Sequence, residues 1–464
     1  MTASKTLFGH PRALVSLFMI ELWERASYYG MRAILVLYMA ATIAVGGMGM
    51  DESTANMVYG FYTGSVWLTP LLGGYIADRW LGARRTMLLG GMVIAFGHLL
   101  IACGATWTFF TGLAAIALGT GLLKPNVNTM VGHLYAADDP KRTAGFNIMY
   151  MGINVGAALA PVVCGFLAQG GAFKSFLTSV GFNPLHSWHW GFAAAGLGMV
   201  FGLLQYWWHR DWLSEYGDSV IASANGPTVG AGVRLCEPRP AAPALFAFTR
   251  EEKQRIKAIG VMFVAFMGYS AINEQAGSSL SLFAANLTQT SIFGWHFPSS
   301  WMMSLNPLFV IALTPLFAWL WPALSRRNRE PSSPLKFAIG LTFVALGTSL
   351  MVPASLLAMQ GKVSPLWLAA VFFLQTVGEL CMSPVGLSTV SQLAPSRFAS
   401  MAMGFWYLSI CLGSIVAGKL AGLLSSDNPH GIAVLFGIMA ACALAAAAVM
   451  KWLTPAVKRM MVAK

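Results

Sequence analysis

Apolar residues in this chain gather in long runs instead of alternating with polar ones. The runs lie at approximately 13–41, 54–77, 85–105, 107–133, 143–169 and 189–208, then at 255–286, 297–322, 335–358, 364–393, 397–422 and 430–453. Each is long enough, as a helix rising about 1.5 Å per residue, to cross ~30 Å of hydrocarbon. The pattern predicts an all-α polytopic membrane protein with 12 transmembrane helices. Six runs fall in residues 12–210 and six in 253–460, halves of nearly equal length. That duplication predicts two pseudo-symmetric six-helix bundles with a central site between them. The interval 211–252 is dense in breakers (Gly226, Pro227, Gly230, Gly232, Pro238, Pro240, Pro243) and has no long apolar run. It reads as a linker without further transmembrane helices.

Composition agrees: 56% of the 464 residues are hydrophobic and only 10% charged. A net charge of +12 would fit nucleic acid, but its placement does not. Lys5, Arg12, Arg79, Arg84, Arg85, Lys141, Arg142, Arg326, Arg327, Arg329, Lys336 and Arg397 fall in alternate connections, with Lys451, Lys458, Arg459 and Lys464 at the C-terminus. This positive-inside distribution predicts an inner (plasma) membrane protein with both termini cytoplasmic. The first apolar run lacks a small-residue cleavage site, so a removable signal peptide is not expected. The six cysteines show no CxxC spacing and read as small buried apolar residues, with neither metal nor disulfide framework indicated. The histidines at membrane depth are isolated, and neither HExxH nor GxSxG occurs, which argues against an intramembrane hydrolase.

The first run carries charges where lipid contact forbids them. Glu21, Glu24, Arg25, Tyr28, Tyr29 and Arg32 share one broad helical face. Each ionised group at bilayer mid-depth costs about 2.5–3.5 kcal/mol, so this face must look into a wet cavity or against partners from other helices. Glu274 and Glu379 are the other acids inside the runs, and Lys124 is the remaining deep base. Four acids against three bases leave room for a proton, and making or breaking their pairs changes who holds it.

The stretch Gly74 to Arg85, with Asp78, Arg79, Gly82, Arg84 and Arg85, resembles the cytoplasmic loop motif of the major facilitator superfamily. Asp78 is expected near the N-terminus of a neighbouring helix. Glu21-x-x-Glu24-Arg25-x-x-Tyr28-Tyr29-Gly30 resembles the first-helix signature of the proton-dependent oligopeptide transporters. Further matches are Gly121-x-x-Lys124-Pro125-Asn126, Tyr150-x-x-x-Asn154-x-Gly156, Glu274-Gln275, Ser304-x-Asn306-Pro307 and Glu379-x-x-x-Ser383-Pro384. Together they cover essentially the whole membrane-spanning chain. Departures are Ala26 and Met149 where Phe is common, and Trp67 where many bacterial members carry a pocket Tyr. Many bacterial relatives also insert two extra helices between the halves. No His occurs between residues 54 and 77, where animal relatives use one in coupling.

The resemblance implies a symporter importing di- and tripeptides with protons by alternating access, with no cofactor beyond the coupling proton. It implies proton handling by Glu21, Glu24, Arg25 and Glu274, and gates at Arg32–Glu274 on the outer side and Lys124–Glu379 on the inner side. Arg25 and Lys124 would take the peptide carboxylate, and Asn154, Asn306 and Glu379 its amino terminus. Tyr28, Tyr29, Trp67, Tyr150 and Trp406 would line side-chain pockets. Each aromatic taken alone also fits plain packing, and the two asparagines also fit helix-to-helix hydrogen bonding. Pro125, Pro307 and Pro384 are expected at flexing bends. The alternative is a major facilitator moving another small solute such as nitrate, a drug or an amino acid; nitrate needs a cation but no amine acceptor. Membrane lipid and substrate are the expected partners, nucleic acid is not, and each chain is expected to work as a monomer.

Overall fold

The computed structural model describes residues 6–7, 9–135, 139, 141–213, 249–292, 294–394, 399–424 and 426–462. The linker expected at 211–252, Cys236 and Arg397 lie wholly or largely outside the described residues. In the first half, α1 spans Ala13–Ala40, α2 Glu52–Leu68, α3 Pro70–Ile76, α4 Ala83–Ala102, α5 Thr106–His133, α6 Lys141–Gln169, α7 Gly171–Ser179 and α8 Ser187–Trp208. In the second, α9 spans Arg250–Asn273, α10 Ser279–Asn286, α11 Leu305–Arg326, α12 Ser333–Ser349, α13 Met351–Ala358, α14 Leu366–Leu393, α15 Ala399–Ala421 and α16 Pro429–Val462.

Several expected runs are two helices end to end: α2 with α3, α9 with α10, and α12 with α13. Counted that way, the described chain forms the expected twelve rods. Nine helices among the described residues are long and apolar enough to cross a membrane. The others are α1, with its charges, the divided α2–α3 rod, and α8, with its four tryptophans. Short α7 occupies a stretch the hydropathy pattern left as a connection.

Helix pairing repeats between the halves. In the first, α1 packs on α6 and α8, α4 on α5 and α8, and α3 on α5. In the second, α9 packs on α15 and α16, α12 on α14 and α16, and α11 on α14. Advancing each rod by six places maps the first set onto the second. Two apolar cores follow, one built on Leu17, Met31, Phe109 and Phe192, the other on Phe266, Phe337, Met382 and Phe436. The halves meet where α2 packs on α15 and where α6 packs on α11, two interfaces that the same operation exchanges.

At the first of these, glycine is required. A Cβ on Gly60 would lie 2.6 Å from the Cα of Gly418, and one on Gly418 would lie 2.7 Å from the Cα of Gly60. Bare backbone meets bare backbone there. Nearby, the Asn56 side-chain amide donates to the Ala421 carbonyl at 3.2 Å, and Asn286 bridges Glu52 (3.1 Å) and Ser426 (2.8 Å). Pro125 and Pro384 lie inside α5 and α14, and Pro307 in the first turn of α11.

Candidate functional site

Helix α1 brings its ionisable residues to the face between the two halves. Both Glu24 carboxylate oxygens accept from Arg25, Oε1 from Nη2 at 2.5 Å and Oε2 from Nε. Glu21 Oε1 stands 4.0 Å from the same guanidinium, while Glu21 Oε2 is buried without a hydrogen-bond partner among the described residues. The guanidinium also lies over the Tyr28 ring, 5.0 Å from its centroid, and Tyr28 meets Tyr29 edge to face at 5.2 Å. These three charged side chains are almost fully buried. Their mutual pairing offsets part of a large desolvation cost.

Seven residues further along α1, about 10 Å by helical rise, Arg32 crosses to the other half. Its Nη2 donates to Glu274 Oε2 at 2.6 Å, and its Nε donates to the Tyr59 hydroxyl. Glu274 begins a tight 3₁₀ turn, Glu274–Gly277, that separates α9 from α10. Serines bond the carbonyls at this break: Ser281 donates to the Ala276 carbonyl at 2.8 Å and Ser278 to the Glu274 carbonyl at 3.3 Å, while Ser279 donates to the Gln275 side-chain Oε1 at 2.5 Å. Gly277 leaves room for the Tyr59 hydroxyl, which a Cβ would strike. Tyr59 was not singled out from the sequence; a Tyr in a membrane run carries no signal of its own.

Lys124, from α5 beside Pro125, places its ammonium 4.4 Å from the centroid of the Trp67 ring. The same ring also stacks on Tyr407 of α15, at 5.8 Å and 15°. The stack joins the two halves, and Trp67 Nε1 is a further buried donor without a partner among the described residues. Lys124 lies within electrostatic range of Glu21, Glu24 and Arg25.

In the second half, Asn306 donates to Glu379 Oε2 and to Thr376 Oγ1, both at 3.0 Å. Glu379 lies within electrostatic range of Tyr29, Tyr150 and Tyr269, and of the Arg32–Glu274 pair. Asn154 donates to the Tyr150 carbonyl one turn back in its own helix at 2.9 Å. Tyr150 is 40% exposed, and Lys124, Glu379, Asn306, Tyr29, Trp67 and Tyr407 are each only partly buried. Polar side chains from both halves thus border open space.

One expected pair is apart in this conformation, and one expected pocket residue needs revision. Lys124 and Glu379 are not paired with each other; among the described residues Lys124 sits on Trp67 and Glu379 on Asn306. In this conformation the Arg32–Glu274 pair is made and the Lys124–Glu379 pair is not. Trp406 does not line the site: it is 1% exposed, stacked at 4.7 Å on Phe266 and edge-on to Phe337 in the second core. One residue along a helix is a turn of about 100°, so the ring that reaches the site is Tyr407. Asp78 is exposed within a wide π-turn, Ala77–Leu81, just before α4.

Twelve helical rods in two matched sets, with a charged, partly open centre, define a multi-pass membrane transporter. The similarity to known proteins is specific. A family profile described as "POT family" matches residues 84–223 and 241–451. The peptide transporter YePEPT of Yersinia enterocolitica is 36% identical, with 98% of this chain and 96% of that protein aligned. A di-/tripeptide transporter of Lactococcus lactis subsp. cremoris is 36% identical over 94% of each chain. A crystal structure of a peptide transporter POT in complex with sulfate superposes with a TM-score of 0.86 at 34% identity, covering 99% of this chain and 97% of that one. The chain belongs to the POT family of transporters.

Proposed function

We propose that this protein is a proton-coupled symporter that imports di- and tripeptides, its halves 12–210 and 253–460 rocking about a central site. One observation carries the reading. Idle polar atoms (Glu21 Oε2, Tyr28 Oη, Trp67 Nε1) and partly open ones (Lys124, Asn306, Glu379) come from both halves, behind a closed Arg32–Glu274 pair. A cationic side on the first half and an anionic side on the second match a zwitterion. Curated relatives named as di-/tripeptide transporters support the substrate class.

In the proposed cycle, protonating Glu274 frees Arg32 and opens the site outward. The peptide carboxylate competes for Lys124 while the proton passes to the Glu21/Glu24/Arg25 cluster. Inward release follows, and ligand and proton act only by binding the two states differently. We place both termini in the cytoplasm. In support, His10, the Gly9 carbonyl and Arg12 gather with Tyr135, Lys141 and Trp212 at one end of the first half. That end holds the basic connections.

The test is uptake of labelled dipeptide into proteoliposomes under an inward-acid gradient. Glu21→Gln is expected to lose gradient-driven accumulation and keep counterflow exchange. Equal loss of both would remove Glu21 from proton coupling. Dialanine is expected to raise the melting temperature where nitrate and free alanine do not.

A further inference from the structure

Outside the central site, a groove of about 790 Å³ runs along the outer face of the second half between α9 and α16. Its walls are almost wholly apolar, including Val264, Leu435, Ile438 and Val449. The trough exists because its floor is small. Gly260 and Gly268 face it from α9, where an added Cβ would meet nothing within 4 Å. Cys442, Ala443 and Ala446 face it from α16. From Lys257 to Ile272 the lining extends about 22 Å along α9, more than the ~15 Å depth of one leaflet's hydrocarbon.

One end of the groove is basic. Lys257 lines it, and Lys253 stands one turn earlier on the same face of α9; both are exposed. The end of α16 packs against this part of α9 through Val457, Met460 and Ala258, and Met460 lines the same end of the groove. The acids nearby point elsewhere. Glu252 closes a capping box with Thr249, and Glu251 lies about 160° around the helix from Lys253.

We propose that the groove is a site for one anionic glycerophospholipid, an acyl chain in the trough and the phosphodiester headgroup on Lys253 and Lys257. The apolar length suits a hydrocarbon chain, and the single basic rim selects a headgroup with net negative charge over a zwitterionic one. A peptide substrate finds no acceptor there for its amino terminus.

The test is native mass spectrometry of the delipidated full chain titrated with phosphatidylglycerol and phosphatidylethanolamine of the same acyl composition. Phosphatidylglycerol is expected to bind more tightly, by about fivefold for each lysine engaged. Lys253→Ala with Lys257→Ala should erase that preference while leaving weak binding of both lipids. Gly268→Leu, which fills the trough at an exposed helical position, should reduce binding of both. Circular dichroism and melting temperature verify that each variant is folded. Equal affinity for the two lipids would overturn the headgroup assignment. Unchanged binding in folded Gly268→Leu, or no retained lipid because residues 214–248 or detergent hold the groove, would overturn the site.

Discussion

Arg32 and Glu274 illustrate what a buried ion pair does when it links two halves of a chain. Both side chains are under 10% exposed, so removing one leaves the other charged and poorly solvated. Glu274→Gln is expected to lower the stability of this closed form by about 3–5 kcal/mol, read as a drop in melting temperature at pH 7. Arg32→Met with Glu274→Met should recover most of that loss, since matched apolar residues carry no desolvation cost, yet should not transport. A double variant no more stable than Glu274→Gln would show that the pair does not hold the closed form together. Adjacent residues Trp406 and Tyr407 divide along the same line. Trp406→Ala removes a ring from the second core and should cost about 3–5 kcal/mol of stability. Tyr407→Ala should leave the melting temperature nearly unchanged and weaken the dipeptide-induced thermal shift. The motif matches identified Glu21, Glu24, Arg25, Arg32 and Glu274 because charges in apolar runs are conspicuous. They could not separate Trp406 from Tyr407, because both rings suit a membrane run and only the helix phase, set by packing on Phe266, tells them apart.

Among the elements, hydropathy outlined the rods but not their interruptions. The break before Pro70 is invisible to it, because apolar content continues past it, and the polar turn at Glu274–Gly277 is averaged into the long apolar run on either side. Serine hydroxyls at 278 and 281 were the available sign of the second break, since they donate to the Glu274 and Ala276 carbonyls. The connection from α11 to α12 is set by charge instead. Lys336 at the start of α12 donates to Glu330 Oε1 at 2.6 Å and lies 4.4 Å from the Trp321 ring centroid. This holds the Glu330 carboxyl below its ordinary pKa, chiefly through the hydrogen bond from Lys336. A depressed pKa means stability present above the unfolded value, about 4.3, and lost as pH falls through the lower folded one. Glu330→Gln is expected to melt slightly below the parent protein at pH 7 and together with it near pH 3. A constant gap at both pH values would remove the ion pair as its cause.

For the whole molecule, the duplication seen in segment counts reappears in the packing: every helix pairing named within one half recurs in the other. What could not be read was how tightly the halves close, because that depends on glycines meeting across the chain. Near the Gly60–Gly418 contact, a Cβ on Gly422 would lie 3.1 Å from the Ser53 hydroxyl. Ser53→Cys with Gly422→Cys should therefore form a disulfide under mild oxidation. The oxidised protein should fail to take up dipeptide in proteoliposomes, and reductant should restore uptake. Unimpaired uptake by the fully oxidised variant would show that this contact need not separate during turnover.

The interruption at Glu274–Gly277 has one more effect. Glu274 is mounted where the backbone ladder is already discontinuous and its freed carbonyls are already capped. Releasing it ruptures no rung of an α-helix. On the cycle proposed above, the empty carrier would then reset at little mechanical expense, its return governed by how readily water reaches two side chains and not by how stiffly a helix resists bending.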